Sequence, residues 1–446
     1  HKIAYNDVDG YNARIEPVHT KRIFRMSLVL FVFFAVLCIC AVALGMSQPT
    51  TRIVAQIYSY EQDSQQIILL DINRNLPLHL PFPVDFSGNM SISANGQRLI
   101  LPVGALNQAA FSVWEITTGR VVDLPQEYIN CSASGWRWLA DNRHVLFQCR
   151  SNPLDGTIGG MYTLDFETGL VYTLYNKPSL ILAYQWSPNF MRVGINDEGS
   201  VHIVGVHGED FMTITPQGRR FTFVAWYPDG ESVLLRGVKT LERYDFSTGE
   251  FTVILDDFET SITPVLSPNG EWLALVTNER RPRAYALHLG TGELHLLETT
   301  DTKINNVTWV GWSPDSQWVM MSTTIESREG NMYYLARPDA SVVMELAQNV
   351  ESIPIWSPDG TQVSYSVYDE MGNTYYSELL LWDMTSFLPA EVISPYSQSP
   401  QWLPDGSGMV FIHYPQPQQL RYRTQNGDIR TLTNLRDSVV GFSFLR

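Results

Sequence analysis

The sequence predicts an all-β fold: a single β-propeller of eight or nine four-stranded blades, closed by a mixed N/C-terminal blade, preceded by one N-terminal transmembrane α-helix. Three observations carry this. A short turn motif returns at a nearly constant interval, the segments between its copies alternate apolar and polar residues, and residues 26–46 form one uncharged apolar run.

The motif reads Trp186-Ser187-Pro188-Asn189, Trp226-Tyr227-Pro228-Asp229-Gly230, Leu266-Ser267-Pro268-Asn269-Gly270, Trp312-Ser313-Pro314-Asp315, Trp356-Ser357-Pro358-Asp359-Gly360 and Trp402-Leu403-Pro404-Asp405-Gly406. Two degenerate copies precede these, Ser93-Ala94-Asn95-Gly96 and Trp138-Leu139-Ala140-Asp141. The Asp/Asn positions lie 46, 48, 40, 40, 46, 44 and 46 residues apart. That period suits a four-stranded blade of about 40–45 residues and exceeds leucine-rich or ankyrin units. Helical repeats of similar length would show 3.6-residue apolar stripes, whereas 361–367 and 231–235 alternate with period 2.

A second turn follows about 20 residues after each motif, at Thr118-Gly119, Thr168-Gly169, Thr248-Gly249, Thr291-Gly292 and Asn426-Gly427. Glycine supplies the positive φ of a tight hairpin. Each unit therefore reads strand, Ser-Pro-Asp-Gly turn, strand, loop, strand, Thr-Gly turn, strand. Proline presets φ at the first turn, and Asp or Asn hydrogen-bonds its own backbone there. The Trp before it ends a strand and is expected to wedge between neighbouring blades, where its apolar area is most useful.

With these elements in place the chain resembles the TolB-type β-propeller repeats, relatives of the WD repeats, over roughly residues 53–446. The first two copies depart from the pattern. Ring closure follows from the ends. Three strand-like runs (53–58, 66–72 and 76–80) have no motif before them, and one unpartnered run, 439–445, ends the sequence. Together they make a shared blade without exposed sheet edges. Eight motif units plus this one make nine, against the usual 4–8. The expectation is thus one ring of eight or nine blades, with two smaller rings as the alternative.

Residues 26–46 carry no charge over 21 positions, enough to span a hydrocarbon core of about 30 Å. Lys21, Arg22 and Arg25 precede the run and only Arg52 follows closely. The positive-inside rule then keeps the tail 1–25 cytoplasmic and exports 53–446 through the linker 47–52. A cleaved signal peptide is the competing reading, but this apolar run is longer than a usual signal core. The polar tail is expected to meet a partner at the cytoplasmic face. Ala41 and Gly45 form a small-xxx-small pair that would let another helix approach.

The net charge is −16, and the part after Thr51 holds 25 Lys/Arg against 43 Asp/Glu. Such a surface disfavours nucleic acid and anionic headgroups. Four cysteines exclude a disulfide-dense scaffold. Cys38 and Cys40 fall in the apolar run; Cys131 and Cys149 lie outside it, and an oxidising compartment would permit a bridge between them.

No Gly-x-Ser-x-Gly elbow, phosphate loop, dinucleotide fingerprint, Cys-x-x-Cys clamp or His-Glu-x-x-His occurs. The nine histidines are scattered; His202, His207, His288 and His413 are read as isolated residues of different repeats, and no metal or cofactor is expected. The Asp/Asn at 189, 229, 269, 315, 359 and 405, with Trp186, Trp226, Trp312, Trp356 and Trp402, recur once per unit and are read as turn and wedge, not as catalytic or calcium-binding groups. The expected function is a non-enzymatic, membrane-tethered interaction module, an accessory subunit of an integral membrane complex. The alternative is a propeller enzyme, a lyase or hydrolase on a glycan or peptide, with its site at the channel mouth.

Overall fold

A computed structural model describes residues 52–443 apart from connecting segments, the longest being 80–90, 104–109, 129–135, 150–158, 177–182, 299–303 and 325–330. The apolar run 26–46, the tail 1–25, Ala41, Gly45 and Cys131 lie outside the described residues. Among the described residues no helix is long and apolar enough to cross a membrane.

The chain is a β-propeller. Residues Thr51–Arg446 form one compact unit, separate from His1–Thr50. The described strands make seven four-stranded antiparallel sheets and one eight-stranded sheet. In chain order the sheets cover 91–123, 137–175, 184–214, 222–255, 265–296, 307–350 joined to 355–395, and 397–431. The joined pair is linked through the pairing of Val350 with Val367. The remaining sheet takes Arg52–Ser59, Ser64–Asp71 and Arg74–His79 from one end of the unit and Asp437–Ser443 from the other.

The alternating pattern explains why sheets stack on sheets. Second and third strands are buried on both faces, as in His144–Cys149 and Gly160–Asp165, where every residue is buried. Fourth strands such as Val121–Asp123 and Ile429–Thr431 are largely exposed. Apolar clusters therefore lie between successive sheets. One gathers Val201, Ile203, Phe221, Phe223, Val233 and Leu235 from the units 184–214 and 222–255. First strands of successive units touch one another, so they form the inner wall.

Candidate binding face

The recurring motif builds the same turn in every described copy. In five copies a buried serine (93, 187, 267, 313, 357) donates its hydroxyl to the Asp/Asn two residues on, at 2.5–2.8 Å. The same oxygen accepts the backbone N–H five residues on, at 2.9–3.0 Å. The Asp/Asn side-chain oxygen accepts the N–H two residues ahead, as Asp229 does from Glu231 at 2.9 Å and Asp405 from Ser407 at 3.0 Å. The Ser357 hydroxyl, helped by Thr361, holds the Asp359 carboxyl below the usual aspartate range. These carboxylates are occupied by their own turns. Ser313→Ala would remove the hydroxyl that accepts the Trp318 N–H in a buried site and should cost about 1–3 kcal/mol. An unchanged urea midpoint for that variant would count against this account of the turn.

Successive turns also touch. Asn95 N–H donates to Asn142 Oδ1 at 2.7 Å, Arg192 Nη2 to the Gly230 carbonyl at 2.6 Å, and Asn269 N–H to Ser316 Oγ at 3.0 Å. Gly270 has φ +74°, and a Cβ there would lie 2.7 Å from Pro228 Cδ, so glycine allows both the backbone conformation and the contact. Indole N–H groups stitch the same end. Trp138 donates to the Ser91 carbonyl, Trp226 to that of Gln185, Trp312 to that of Val265, and Trp402 to the Ser364 hydroxyl. Each acceptor belongs to the preceding unit. Trp186 Nε1 is buried with no hydrogen-bond partner among the described residues, and Trp356 packs in an apolar cluster with Trp318 and Tyr365.

Charged pairs at this end act both within and between the two early, degenerate units. Arg143 makes a two-pronged bond to the fully buried Asp165, Nε to Oδ1 at 2.8 Å and Nη2 to Oδ2 at 2.7 Å. Arg98 bonds Glu115 and Glu167, and Arg98 and Arg120 stack on the Phe166 ring at 4.2 and 4.6 Å. Burial pushes the Asp165 carboxyl up. Arg143, the Thr168 hydroxyl and the Glu167 N–H more than offset it, leaving the group well below the usual aspartate range. Because the folded value is depressed, the stabilisation is present above the ordinary aspartate range and is lost as pH falls through the lower folded value. Asp165→Asn should therefore lower stability at neutral pH and flatten the acid limb of a urea-midpoint-versus-pH curve. Parallel curves for the two proteins would contradict this.

Histidines show one departure from expectation. His202 and His207 share the unit 184–214, and His207 meets His144 of the preceding unit, Nε2 to Nε2 at 3.0 Å. His144, nearly buried, holds Asp141 Oδ2 through Nδ1 at 2.5 Å. This Asp–His pair has the orientation of a general base, but its outward nitrogen faces another histidine, so no substrate proton is within its reach in this arrangement. Among the described residues no three His, Cys, Asp or Glu converge to hold a metal ion. Cys149 is fully buried and disulfide-bonded.

In an antiparallel four-stranded sheet the first and third turns lie at one end and the second turn at the other. The second-turn end carries a cavity of about 530 Å³. It is bounded by Gly199 in the second turn of the unit 184–214, by 220–222 entering the next unit, by that unit's second turn (236–238), and by the connector 258–261. Backbone bonds fix these walls: Phe221 N–H to the Gly199 carbonyl at 2.9 Å, Phe258 to Lys239 at 3.1 Å, and Ser261 to Val276 at 3.0 Å. Phe221 and Leu241 are buried beneath it, and Val238 stands at its mouth with 86% of its surface exposed. Neither arginine lining the cavity carries an ion pair among the described residues. Arg236 has a 3.4 Å bond to the Thr260 hydroxyl, while Glu259 is held by Lys239 at 3.6 Å and Asn278 at 3.4 Å. No sequence motif marked these arginines; the Arg219-Arg220 doublet in an acidic chain was the only cue.

No family model matches the chain. A stretch of 134 residues is 26% identical to a curated relative from Chlorobium luteolum, "Protein TolB homolog"; it spans 29% of this chain and only 29% of the relative's length. Among solved structures, a eukaryotic initiation factor is 12% identical with a TM-score of 0.63, covering 89% of this chain and 98% of that one. Dipeptidyl peptidase 4 of Porphyromonas gingivalis is 11% identical with a TM-score of 0.53, covering 78% of this chain and 59% of that one. At such identities the likeness shows the fold alone.

Proposed function

We propose that the chain is a membrane-anchored, extracytoplasmic interaction module: a single ring of nine blades, tethered by a helix over 26–46, that serves an integral membrane assembly as an accessory subunit. The observation that carries this reading is the cavity at the second-turn end, lined by two arginines without an ion-pair partner among the described residues and by the exposed Val238. The partial similarity to a TolB homologue supports an interaction role. Purification of the full chain in mild detergent tests it: co-elution with other membrane proteins is expected, and recovery as a lone monomer would overturn the subunit role.

The exported location carries a covalent corollary. Cys149 is bonded, and we assign Cys131 as its partner, with 17 residues between them. A loop of this length is worth about 3 kcal/mol through the unfolded chain. Peptide mapping of the 131–149 region should show a mass increase of about 2 Da on reduction, one hydrogen for each sulfur released. No shift would remove the assignment.

A further inference from the structure

We propose that the cavity between the units 184–214, 222–255 and 265–296 binds the free C-terminus of a polypeptide, with Arg220 and Arg236 receiving the carboxylate and the last side chain resting near Phe258 and Val238. The identity of the ligand deepens the interaction-module reading and rests on it.

Charge argues first. The chain carries 46 acidic against 30 basic residues, so two arginines without carboxylate partners beside one cavity are a local reversal of sign. The neighbouring acids are paired with other groups. Glu259, which also lines the cavity, is held by Lys239 and Asn278, and the buried Glu242 takes Arg219, the other half of the arginine doublet. A carboxylate matches two guanidinium groups through charge-assisted hydrogen bonds, and their fork geometry favours planar anions.

Placement argues second. Gly199, at φ +90°, leaves room for the Arg220 stem; a Cβ at that position would come within 3.1–3.2 Å of its Cβ, Cγ and Cδ. The stem therefore lies over the hairpin turn, and residue 199 helps set where the guanidinium stands. Arg236 is half-buried and anchored on Thr260. The walls are held by backbone bonds, so the site is formed before any ligand arrives.

Ligand class follows from the lining. Half-buried Phe258 and exposed Val238 present apolar surface beside the arginines, over a floor of buried Phe221 and Leu241. The fitting chemistry is an apolar group ending in a free carboxylate. A volume of about 530 Å³ exceeds one amino acid and lies in the range of multi-residue or drug-sized ligands. That favours a chain end over a small free acid.

The test uses the full chain in detergent and three probes: fluorescein-Gly-Ser-Gly-Ser-Leu with a free carboxylate, the same peptide as its C-terminal amide, and N-acetyl-leucine as a competitor. The acid peptide is expected to bind at least about tenfold more tightly than the amide, as loss of a charge-assisted bond implies. The R220Q/R236Q variant should lose a similar factor while keeping its far-ultraviolet circular dichroism. Equal binding of acid and amide overturns the carboxylate assignment without needing any variant. N-acetyl-leucine binding as tightly as the peptide overturns the chain-end assignment. No binding of the acid peptide at about 1 mM overturns the site. Because the probes need no partner subunit, these outcomes are independent of whether the chain co-purifies with other membrane proteins.

Discussion

Deleting residues 437–446 is expected to abolish cooperative folding of the whole β-sheet unit. Asp437–Ser443 pairs along Arg52–Ser59, with Val54 opposite Ser443 and Ser59 opposite Asp437. Val439 is fully buried in a cluster with Ile53, Ala55, Ile57, Val410 and Leu420, so the deletion strips one sheet and its neighbour together. It also bares the edge of Arg52–Ser59, a ready template for intermolecular pairing. Loss of the thermal transition by circular dichroism and a shift to aggregates on size exclusion are the expected results. A monomeric truncated chain with the parent's melting temperature would show that this closure is dispensable.

Trp226→Ala is expected to destabilise by about 3–5 kcal/mol, the cost of emptying a large aromatic site in a packed interior. Trp226 is 7% exposed and packs with Phe223 and Phe246 at centroid distances of 5.7 and 5.6 Å. Its indole N–H donates to the Gln185 carbonyl at 3.1 Å across the sheet boundary, and Arg192 lies over its ring. Trp226→Phe keeps most of the apolar contact and loses the cross-unit bond, so its cost should be clearly smaller. Chemical denaturation measures both. A loss below about 1 kcal/mol for the alanine variant would mean that the cluster collapses into the space left behind.

The fold was legible because a repeat multiplies a weak signal. One Ser-Pro-Asp-Gly turn says little, but eight related turns at a regular spacing specify a strand–turn–strand unit. The hydrogen bonds within each turn, such as Ser313 to Asp315, link residues two to five positions apart and are therefore written locally. The Trp before the turn was readable as a wedge for the same reason, although its acceptor was not. Ser91 and Trp138 stand 47 residues apart, and only sheet stacking brings them together.

The cavity and the histidine contact had no such signal. Arg220 and Arg236 acquire meaning from what does not pair with them, and that depends on where Glu242, Glu259 and Lys239 end up. His144 and His207 come from different sheets, one at the start of a strand and one in a hairpin turn, and no spacing rule links them. Asp165 precedes a Thr-Gly turn, and nothing local in the sequence marks its burial or the reach of Arg143.

By itself, then, the sequence determined the unit, its period, its two turn types and the residues that punctuate them, because those follow from local backbone geometry and hydrogen bonds of short range. It also marked an apolar run and an acidic balance. Tertiary structure alone decided where the cavity lies, which arginines have no ion-pair partner among the described residues, and how the first and last strands share a sheet. Those outcomes depend on stacking between sheets whose contacting residues lie about 40 or more positions apart, a distance at which side-chain identity carries no local trace of its neighbour.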